Sequence, residues 1–397
     1  MQYSESVFMN LNRKEKFMKK VLKIVINGLG RIGKLVFQYL LESEAFKNGD
    51  IEIVAINDLT DVYQLAYLLK YDSTQLSMLQ KGHTIGFETI EGGTIYNEKG
   101  VAQTDTERGE SGLVVAIEDL KGYLIVDGKK YPVYAQPDPT KLPWADLGVD
   151  IVCECTGRFA TSELAHKHIE AGASKVIVNS PVKGVPNVVF NVNSQSLTGE
   201  EEIICGASCT TNCLAPLAKI LDESFGIEKG MMATVHAYTA DQTLLDTPHR
   251  KGANSRRGRC APNNIVPATT GAAEAVAKAL PQLKGKLTGM ALRVPVPTGS
   301  CVVFDVELKG KLTDSQINDA ILDKMDNESI SGTFDPVVSS DIVGCEFGSY
   351  VDFQSTKVLN TDDNRTTTLA QLVSWYDNEA SYTHQFVKTL IHWISLM

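Results

Sequence analysis

Cysteine is scarce: the 397-residue chain has eight, at positions 153, 155, 205, 209, 213, 260, 301 and 345, too few and too scattered for a disulfide framework. They read as free thiols in a reducing compartment, which makes the cytoplasm the expected location. Long apolar runs are missing too, so no bilayer-spanning segment and no membrane partner is expected. Residues 1–20 mix Ser, Glu, Asn, Arg and Lys instead of carrying the apolar core of a signal peptide; they read as an extension, with Met18 as an alternative start. Positive charge is in deficit, 38 Lys and Arg against 48 Asp and Glu for a net of −10, which argues against dedicated nucleic-acid binding. The dense basic patch Arg256-Arg257-Gly258-Arg259 is too short to reverse that and reads as a solvated loop. No metal site is expected, because the Cys-x-x-x-Cys of Cys209 and Cys213 lacks the usual knuckle spacing and no second pair follows. Repeats and low-complexity tracts are absent. With 43% apolar residues, the chain is globular and long enough for two domains.

What is present begins with Val21-Leu22-Lys23-Ile24-Val25-Ile26, a β-branched run that predicts a strand. It meets Asn27-Gly28-Leu29-Gly30-Arg31-Ile32-Gly33, and an apolar-periodic helix follows through Leu35, Val36, Tyr39 and Leu40. In such a strand, turn and helix, Gly28 permits the turn, Gly30 lets backbone approach a pyrophosphate, and Gly33 lets the helix pack on the strand. A second strand, Ile51 to Ile56, closes with Asn57-Asp58 and puts an acid where a ribose diol would lie. A carboxylate accepts from both hydroxyls but repels a 2′-phosphate, so the expected dinucleotide is NAD rather than NADP.

From Ser73 to about Lys121 short polar stretches punctuated by glycine suggest a surface insertion of hairpins and loops. Asp127-Gly128 between Tyr123–Val126 and Lys129–Tyr134 reads as a hairpin turn. Val149 to Cys155 is a buried-type strand ending in Thr156-Gly157, followed by a helix over Ser162 to Ala171 and a strand at Lys175 to Val178. Strands alternating with helices predict a doubly wound, mostly parallel sheet, with Thr156, Gly157 and Ser180 at strand ends rimming the cofactor crevice.

The chemistry centres on Ala207-Ser208-Cys209-Thr210-Thr211-Asn212-Cys213-Leu214-Ala215-Pro216, which runs into a helix ending near Phe225. Cys209 then sits at a helix N-terminus, where unpaired N–H groups and the helix dipole favour an anion and draw a thiol toward thiolate. His236, in the β-branched stretch Thr234 to Thr239, supplies a base. Cys213, one turn beyond Cys209, reads as a core residue. Further on, Met231–Thr239, Thr288–Pro295 and Ser300–Leu308 read as long strands, giving this half an antiparallel sheet with helices at Gly271–Leu280 and Thr313–Met325. In the second of these, Ser315, Asn318 and Asp319 are expected to face outward. A closing helix runs through Val387, Leu390, Ile391 and Ile394.

The glycine turn, the Ser-Cys-Thr-Thr-Asn-Cys motif, His236-Ala237-Tyr238-Thr239, Thr270-Gly271-Ala272-Ala273, Arg293-Val294-Pro295 and Trp375-Tyr376-Asp377-Asn378-Glu379 together closely resemble phosphorylating glyceraldehyde-3-phosphate dehydrogenases. The resemblance implies an α/β Rossmann-type NAD-binding domain and an α+β catalytic domain with a mostly antiparallel sheet. Its expected partition is an extension at 1–20, an NAD-binding domain at 21–208 carrying the 73–121 insertion, a catalytic domain at 209–374, and a C-terminal helix at 375–397 returning to the first domain. It implies Cys209 as nucleophile and His236 as base. Thr239 and Arg293 would hold the phosphate of D-glyceraldehyde 3-phosphate, and Ser208, Thr210, Thr270 and Gly271 the attacking inorganic phosphate. Arg31 and Ile32 would contact the pyrophosphate, Asp58 the adenosine ribose and Asn378 the carboxamide, with Tyr382 nearby. The Arg256–Arg259 segment would belong to an S-shaped loop that approaches a neighbouring subunit of a homotetramer.

Departures from the family's pattern are local. Pro137 stands where relatives carry an arginine, and Thr247-Pro248 replaces the more usual Leu-Pro. Asn179-Ser180-Pro181 replaces Ser-Ala-Pro and leaves that contact to Asn179 or Ser180. Two rival readings share much of the framework: erythrose-4-phosphate dehydrogenase, which resembles it but hydrolyses its thioester, and a non-catalytic NAD-binding or adhesion protein.

Overall fold

The computed structural model describes residues 20–91, 94–97, 119–252, 254–359 and 366–397. The N-terminal extension before residue 20 and residues 98–118 of the expected insertion lie outside the described residues.

The first half runs β1 (Leu22–Asn27), α1 (Arg31–Glu42), α2 (Glu44–Lys47), β2 (Ile51–Asn57), α3 (Val62–Lys70), β3 (Ile85–Glu91), β4 (Thr94–Asn97), β5 (Leu120–Val126), β6 (Lys129–Tyr134), α4 (Trp144–Leu147), β7 (Ile151–Glu154), α5 (Ser162–Glu170), β8 (Lys175–Val178) and β9 (Ile203–Cys205). These strands form one sheet in the order β4-β3-β5-β6-β2-β1-β7-β8-β9. From β6 to β9 every neighbour is parallel. Such strands are covered on both faces, which is why β1 reads as a continuous apolar run with Ile24, Val25 and Ile26 fully buried. The antiparallel strands β3, β4 and β5 extend this sheet at one edge. Asp127 and Gly128 both adopt left-handed backbone between β5 and β6, as a two-residue type I′ hairpin demands.

The glycine turn after β1 has little room. Gly28 has φ +92°, and a Cβ there would lie 2.8 Å from Thr156 Cγ2; a Cβ on Gly33 would lie 1.8 Å from the Gly28 carbonyl oxygen. Any larger residue would push α1 off β1 and close the space above the strand ends.

The second half comprises α6 (Cys209–Phe225), β10 (Ile227–Ala237), β11 (Val266–Thr269), α7 (Ala272–Ala279), β12 (Leu287–Val294), β13 (Ser300–Lys309), α8 (Asp314–Lys324), β14 (Ile330–Thr333), β15 (Ser349–Leu359), β16 (Thr367–Tyr376) and α9 (Ala380–Ile394). Its sheet has the order β11-β12-β10-β13-β16-β15-β14 and is mostly antiparallel, but β10 pairs β12 and β14 pairs β15 in parallel. Helices α6, α7 and α8 pack on it through Leu214, Leu217, Leu221, Val276, Ile317 and Ile321, all in one apolar cluster. Along β10 the two-residue alternation buries Met232, Thr234 and His236 together.

Asn318 departs from its expected outward position. It is buried, donates to the Phe353 carbonyl oxygen at 3.0 Å and accepts from Thr356 Oγ1 at 2.7 Å, so it serves backbone that would otherwise be unpaired. Helix α8 starts with a capping box between Thr313 and Gln316. Helix α9 returns to the first half, where Tyr382, Phe386, Leu390 and Trp393 join Leu35, Val36 and Tyr39 of α1 in one cluster. Among the described residues no helix is long and apolar enough to cross a membrane.

Candidate active site

Cys209 is the first residue of α6. Ser208 caps the helix by accepting from the Thr211 N–H at 3.2 Å, and the preceding Ala207 holds φ +57°, a left-handed conformation uncommon outside glycine. That turn aims the Cys209 sulfur at β10, where His236 Nε2 lies 3.4 Å from Sγ. The parallel pairing of β10 and β12 puts Arg293 opposite His236. Arg293 Nη1 approaches His236 Nδ1 at 2.8 Å and donates to the Ala237 carbonyl oxygen at 3.1 Å. The same oxygen lies 2.7 Å from Nδ1. A carbonyl oxygen can only accept and a guanidinium can only donate, so the two neighbours of Nδ1 call for opposite tautomers; a proton on Nδ1 shared with the carbonyl oxygen is the arrangement that leaves the Nε2 lone pair toward the thiol.

The electrostatics differ from the sequence expectation for the sulfur. Burial pushes the Cys209 thiol up, and this outweighs the downward pull of the Arg293 charge and of the hydrogen bonds from Thr210. Burial and then the Arg293 charge push His236 down to about 3, so its imidazole is neutral at ordinary pH. A helix N-terminus alone therefore does not produce the thiolate; the neutral imidazole beside the thiol provides an acceptor for its proton. Arg293 Nε is a buried donor with no hydrogen-bond partner among the described residues. Thr270 and Gly271 lie at the N-terminus of α7, Thr270 Oγ1 accepting from the Ala272 N–H at 3.2 Å. Thr239 lies two residues beyond the end of β10, half-buried.

A crevice of about 300 Å³ opens above the carboxyl ends of β1, β2, β6 and β7, lined by Gly28, Gly30, Asp58, Thr156 and Arg158 among others. Asp58 sits at its rim, one carboxylate oxygen accepting from the Leu29 N–H at 2.6 Å and the other from the Thr60 N–H at 2.9 Å. Gln136 and Pro137 form part of the wall. Gly157 and Ser180 do not line this crevice; the Ser180 hydroxyl is buried without a hydrogen-bond partner among the described residues.

Arg31 is turned away from the crevice. Its guanidinium pairs with Asp72 and Glu379, tying α1 to the loop after α3 and to the start of α9. The two carboxylates occupy the side chain of a residue that the resemblance implies for the pyrophosphate. What Arg31 and Ile32 present at the start of α1 is backbone N–H. Asn378 is buried, with its amide oxygen accepting from Ser300 Oγ at 2.9 Å. The Tyr382 hydroxyl donates to the Ala207 carbonyl oxygen at 3.4 Å, beneath the strained turn.

Family profiles match both halves. The glyceraldehyde 3-phosphate dehydrogenase NAD-binding domain matches residues 22–104 and 93–162, and the C-terminal domain of the same family matches residues 208–378. The chain belongs to the glyceraldehyde-3-phosphate dehydrogenase family. It is 46% identical over 369 residues to the glyceraldehyde-3-phosphate dehydrogenase of Clostridium pasteurianum, covering 93% of this chain and 97% of that one. It is 45% identical over 375 residues to that of Clostridium acetobutylicum, covering 94% and 99%, and 45% identical over 372 residues to that of Streptococcus pyogenes, covering 93% and 97%. For a glyceraldehyde-3-phosphate dehydrogenase the first half is the NAD-binding part, in keeping with the glycine turn and the acid at its rim.

Beneath that crevice lies a polar ladder that sequence reasoning missed. Trp144 Nε1 donates to His168 Nδ1 at 3.1 Å, and His168 Nε2 lies 3.2 Å from Glu154 Oε2. Asn27 Nδ2 donates to the same oxygen, while the Thr156 N–H and hydroxyl donate to Oε1. Asn57 Nδ2 then donates to Asn27 Oδ1 at 2.7 Å. Glu154 and His168 are fully buried. The available signal was a Glu inside an otherwise apolar strand, which needs partners.

Proposed function

We propose that the chain catalyses the NAD-dependent oxidative phosphorylation of D-glyceraldehyde 3-phosphate to 1,3-bisphosphoglycerate. The observation that carries this is the 3.4 Å approach of His236 Nε2 to a cysteine at a helix N-terminus, with Arg293 alongside. The Cys209 sulfur adds to the aldehyde carbon as its proton passes to His236 and on to the carbonyl oxygen, giving a hemithioacetal and leaving His236 neutral again. His236 Nε2 then takes the hydroxyl proton as the carbon loses hydride, which leaves a thioester on Cys209. Bound NAD supplies the hydride acceptor. Because thiolate is a good leaving group, an oxygen of inorganic phosphate displaces it and yields the acyl phosphate.

The anion-binding roles follow from donors. Arg293, with its unpaired Nε, and Thr239 hold the triose phosphate; a planar guanidinium can offer two parallel hydrogen bonds to a phosphate. Ser208, Thr210, Thr270 and Gly271 hold the attacking phosphate, Thr270 and Gly271 at the start of α7 where backbone N–H groups are available. In the cofactor crevice Gly28 and Gly30 leave room for the pyrophosphate, and the first N–H groups of α1 from Arg31 and Ile32 face it. Asp58 accepts from the ribose hydroxyls and Thr156 rims the cofactor, while Gly157 and Ser180, outside the crevice lining, would reach it only at its edge. Asn378, whose oxygen is engaged by Ser300, offers its amide nitrogen to the carboxamide beside Tyr382. The domain partition is proposed as expected from the sequence, with Cys209 opening the catalytic domain. A cytoplasmic homotetramer completes the reading, with the Arg256–Arg259 loop facing a neighbouring copy; within the chain Arg257 pairs with Asp241 and Arg259 with Asp246.

A steady-state assay of NADH production from D-glyceraldehyde 3-phosphate and from erythrose 4-phosphate, with and without inorganic phosphate, tests the proposal. Phosphate-dependent turnover favouring the triose is expected. Turnover of the tetrose without phosphate would assign the hydrolytic reaction instead, and no turnover of either would leave a cofactor-binding protein.

A further inference from the structure

The best-defined group near the reacting sulfur that this mechanism leaves unused is Tyr376, the last residue of β16. It is fully buried, and its hydroxyl lies 2.9 Å from Thr210 Oγ1 and 2.8 Å from Thr234 Oγ1. Its ring stands edge-on to His236, with centroids 5.8 Å apart and planes at 82°. Thr210 follows Cys209 on α6, and its hydroxyl oxygen is 3.9 Å from Sγ. Thr234 lies two residues before His236 on the same face of β10. One phenol thus joins the helix that carries the nucleophile to the strand that carries the base.

Proton counting gives this bridge a direction. We propose that Tyr376 is a positioning residue that orients the Thr210 hydroxyl as a donor toward the phosphate attacking the Cys209 thioester. This rests on the phosphorylating reaction above, in which Thr210 contacts that phosphate. The unprotonated oxygens of phosphate only accept, so Thr210 must donate to bind one. Its lone pair is then left for Tyr376, whose single proton goes to Thr210, and Thr234 donates to Tyr376 in turn. Burial raises the Tyr376 hydroxyl well above its ordinary range, so it remains a phenol that can donate. Without that donor the Thr210 hydroxyl is free to rotate toward the sulfur or the empty side of the bridge, and its proton no longer points where phosphate needs it.

The test separates the two halves of the reaction in the full-length enzyme with NAD. For Tyr376→Phe, the pre-steady-state burst of NADH reports acylation of Cys209, and the phosphate dependence of steady-state turnover reports deacylation. Loss of one neutral hydrogen bond should raise the KM for phosphate roughly five- to tenfold while the burst rate constant and the KM for triose phosphate stay within about twofold. Thr210→Val should raise the phosphate KM in the same way, and adding Tyr376→Phe to it should have no further effect, because the two side chains act through one contact. Thr234→Val, which removes only the far end of the chain, should shift phosphate KM in the same direction by a smaller factor; it keeps the test open if the Tyr376 variant fails to fold. An unchanged phosphate KM, or a burst that slows by the same factor as phosphate use, would make Tyr376 a structural residue and overturn the inference. A wild-type enzyme with no phosphate dependence would instead overturn the phosphorylating reaction itself.

Discussion

Replacing Glu154 by Gln tests whether the ladder beneath the cofactor crevice fixes its shape. Four donors converge on the carboxylate: the Thr156 N–H and hydroxyl on Oε1, and Asn27 Nδ2 and His168 Nε2 on Oε2. An amide of the same size has one acceptor oxygen, so one end of it must face donors. If the NH2 group replaces Oε2, Asn27 can escape by flipping, but its oxygen then no longer accepts from Asn57 Nδ2. His168 can escape by changing tautomer, but its Nδ1 then opposes Trp144 Nε1, which is donor-only. If the NH2 group replaces Oε1, the Thr156 backbone N–H loses its partner. Each route strands at least one buried donor at about 1–3 kcal/mol apiece, and the Oε2 side strands two, so the amide settles with its NH2 group at Oε1 and Glu154→Gln should lose roughly 1–3 kcal/mol. Asn27 and Thr156 line the crevice, so the loss should also appear as weaker NAD binding, by about tenfold for each ~1.4 kcal/mol that NAD has to supply in restoring it. Urea unfolding and NAD titration by calorimetry measure the two quantities. Wild-type unfolding and NAD affinity within about twofold in this variant would refute the reasoning, because no arrangement of the amide satisfies all four donors.

Three further substitutions probe separate parts. His236→Asn should slow acylation by roughly 10²-fold or more, the scale of a positioned base, and a burst rate near wild type across neutral pH would show that another group takes the proton. Asp58→Ala should narrow the ratio of NAD to NADP use, read as the ratio of kcat/KM for the two; an unchanged ratio would move discrimination elsewhere. For Asp72, burial alone would raise the carboxyl, but the hydrogen bonds from Lys34 and the Thr74 N–H and the Arg31 charge outweigh it and hold it well below the usual carboxylate range. A depressed carboxyl adds stability above its unfolded pKa and loses it as pH falls. Asp72→Asn should therefore cost about 3 kcal/mol at neutral pH, with the gap to wild type constant above about pH 5 and closing below about pH 4. A gap independent of pH would mean that its charge is not what ties α1 to the loop after α3.

Strand and helix positions were legible because β1, β2 and α6 carry the periodicities of buried strands and a half-buried helix in their own residues. The hairpin at Asp127-Gly128 was legible for the same reason: two left-handed positions demand such residues. The parallel character of the first sheet and the mostly antiparallel character of the second were legible too, but the parallel pairs within the second were not. An alternating strand looks the same beside a parallel or an antiparallel neighbour, so the parallel register that sets His236 opposite Arg293 came only from topology. The side-chain partners of Arg31 were hidden because Asp72 and Glu379 lie 41 and 348 residues away. Asn318 misled because helical periodicity ranks it as polar and outward, while the buried Phe353 carbonyl needed a donor. For Cys209 the helix N-terminus was visible and the desolvation that opposes it was not. Buried polar clusters such as Glu154 with His168 are written in separate segments, and only the fold brings them together.

The central claim is that Cys209 and His236 work as one unit. The most direct measurement is the rate of iodoacetamide alkylation at each cysteine as a function of pH, in the wild-type protein and in His236→Asn, followed by peptide mass spectrometry. The account predicts that Cys209 is alkylated ahead of the other seven cysteines at neutral pH, and that removing the imidazole slows it at least about tenfold and moves its pH profile upward. Equal alkylation rates at Cys209 with and without the imidazole would contradict it.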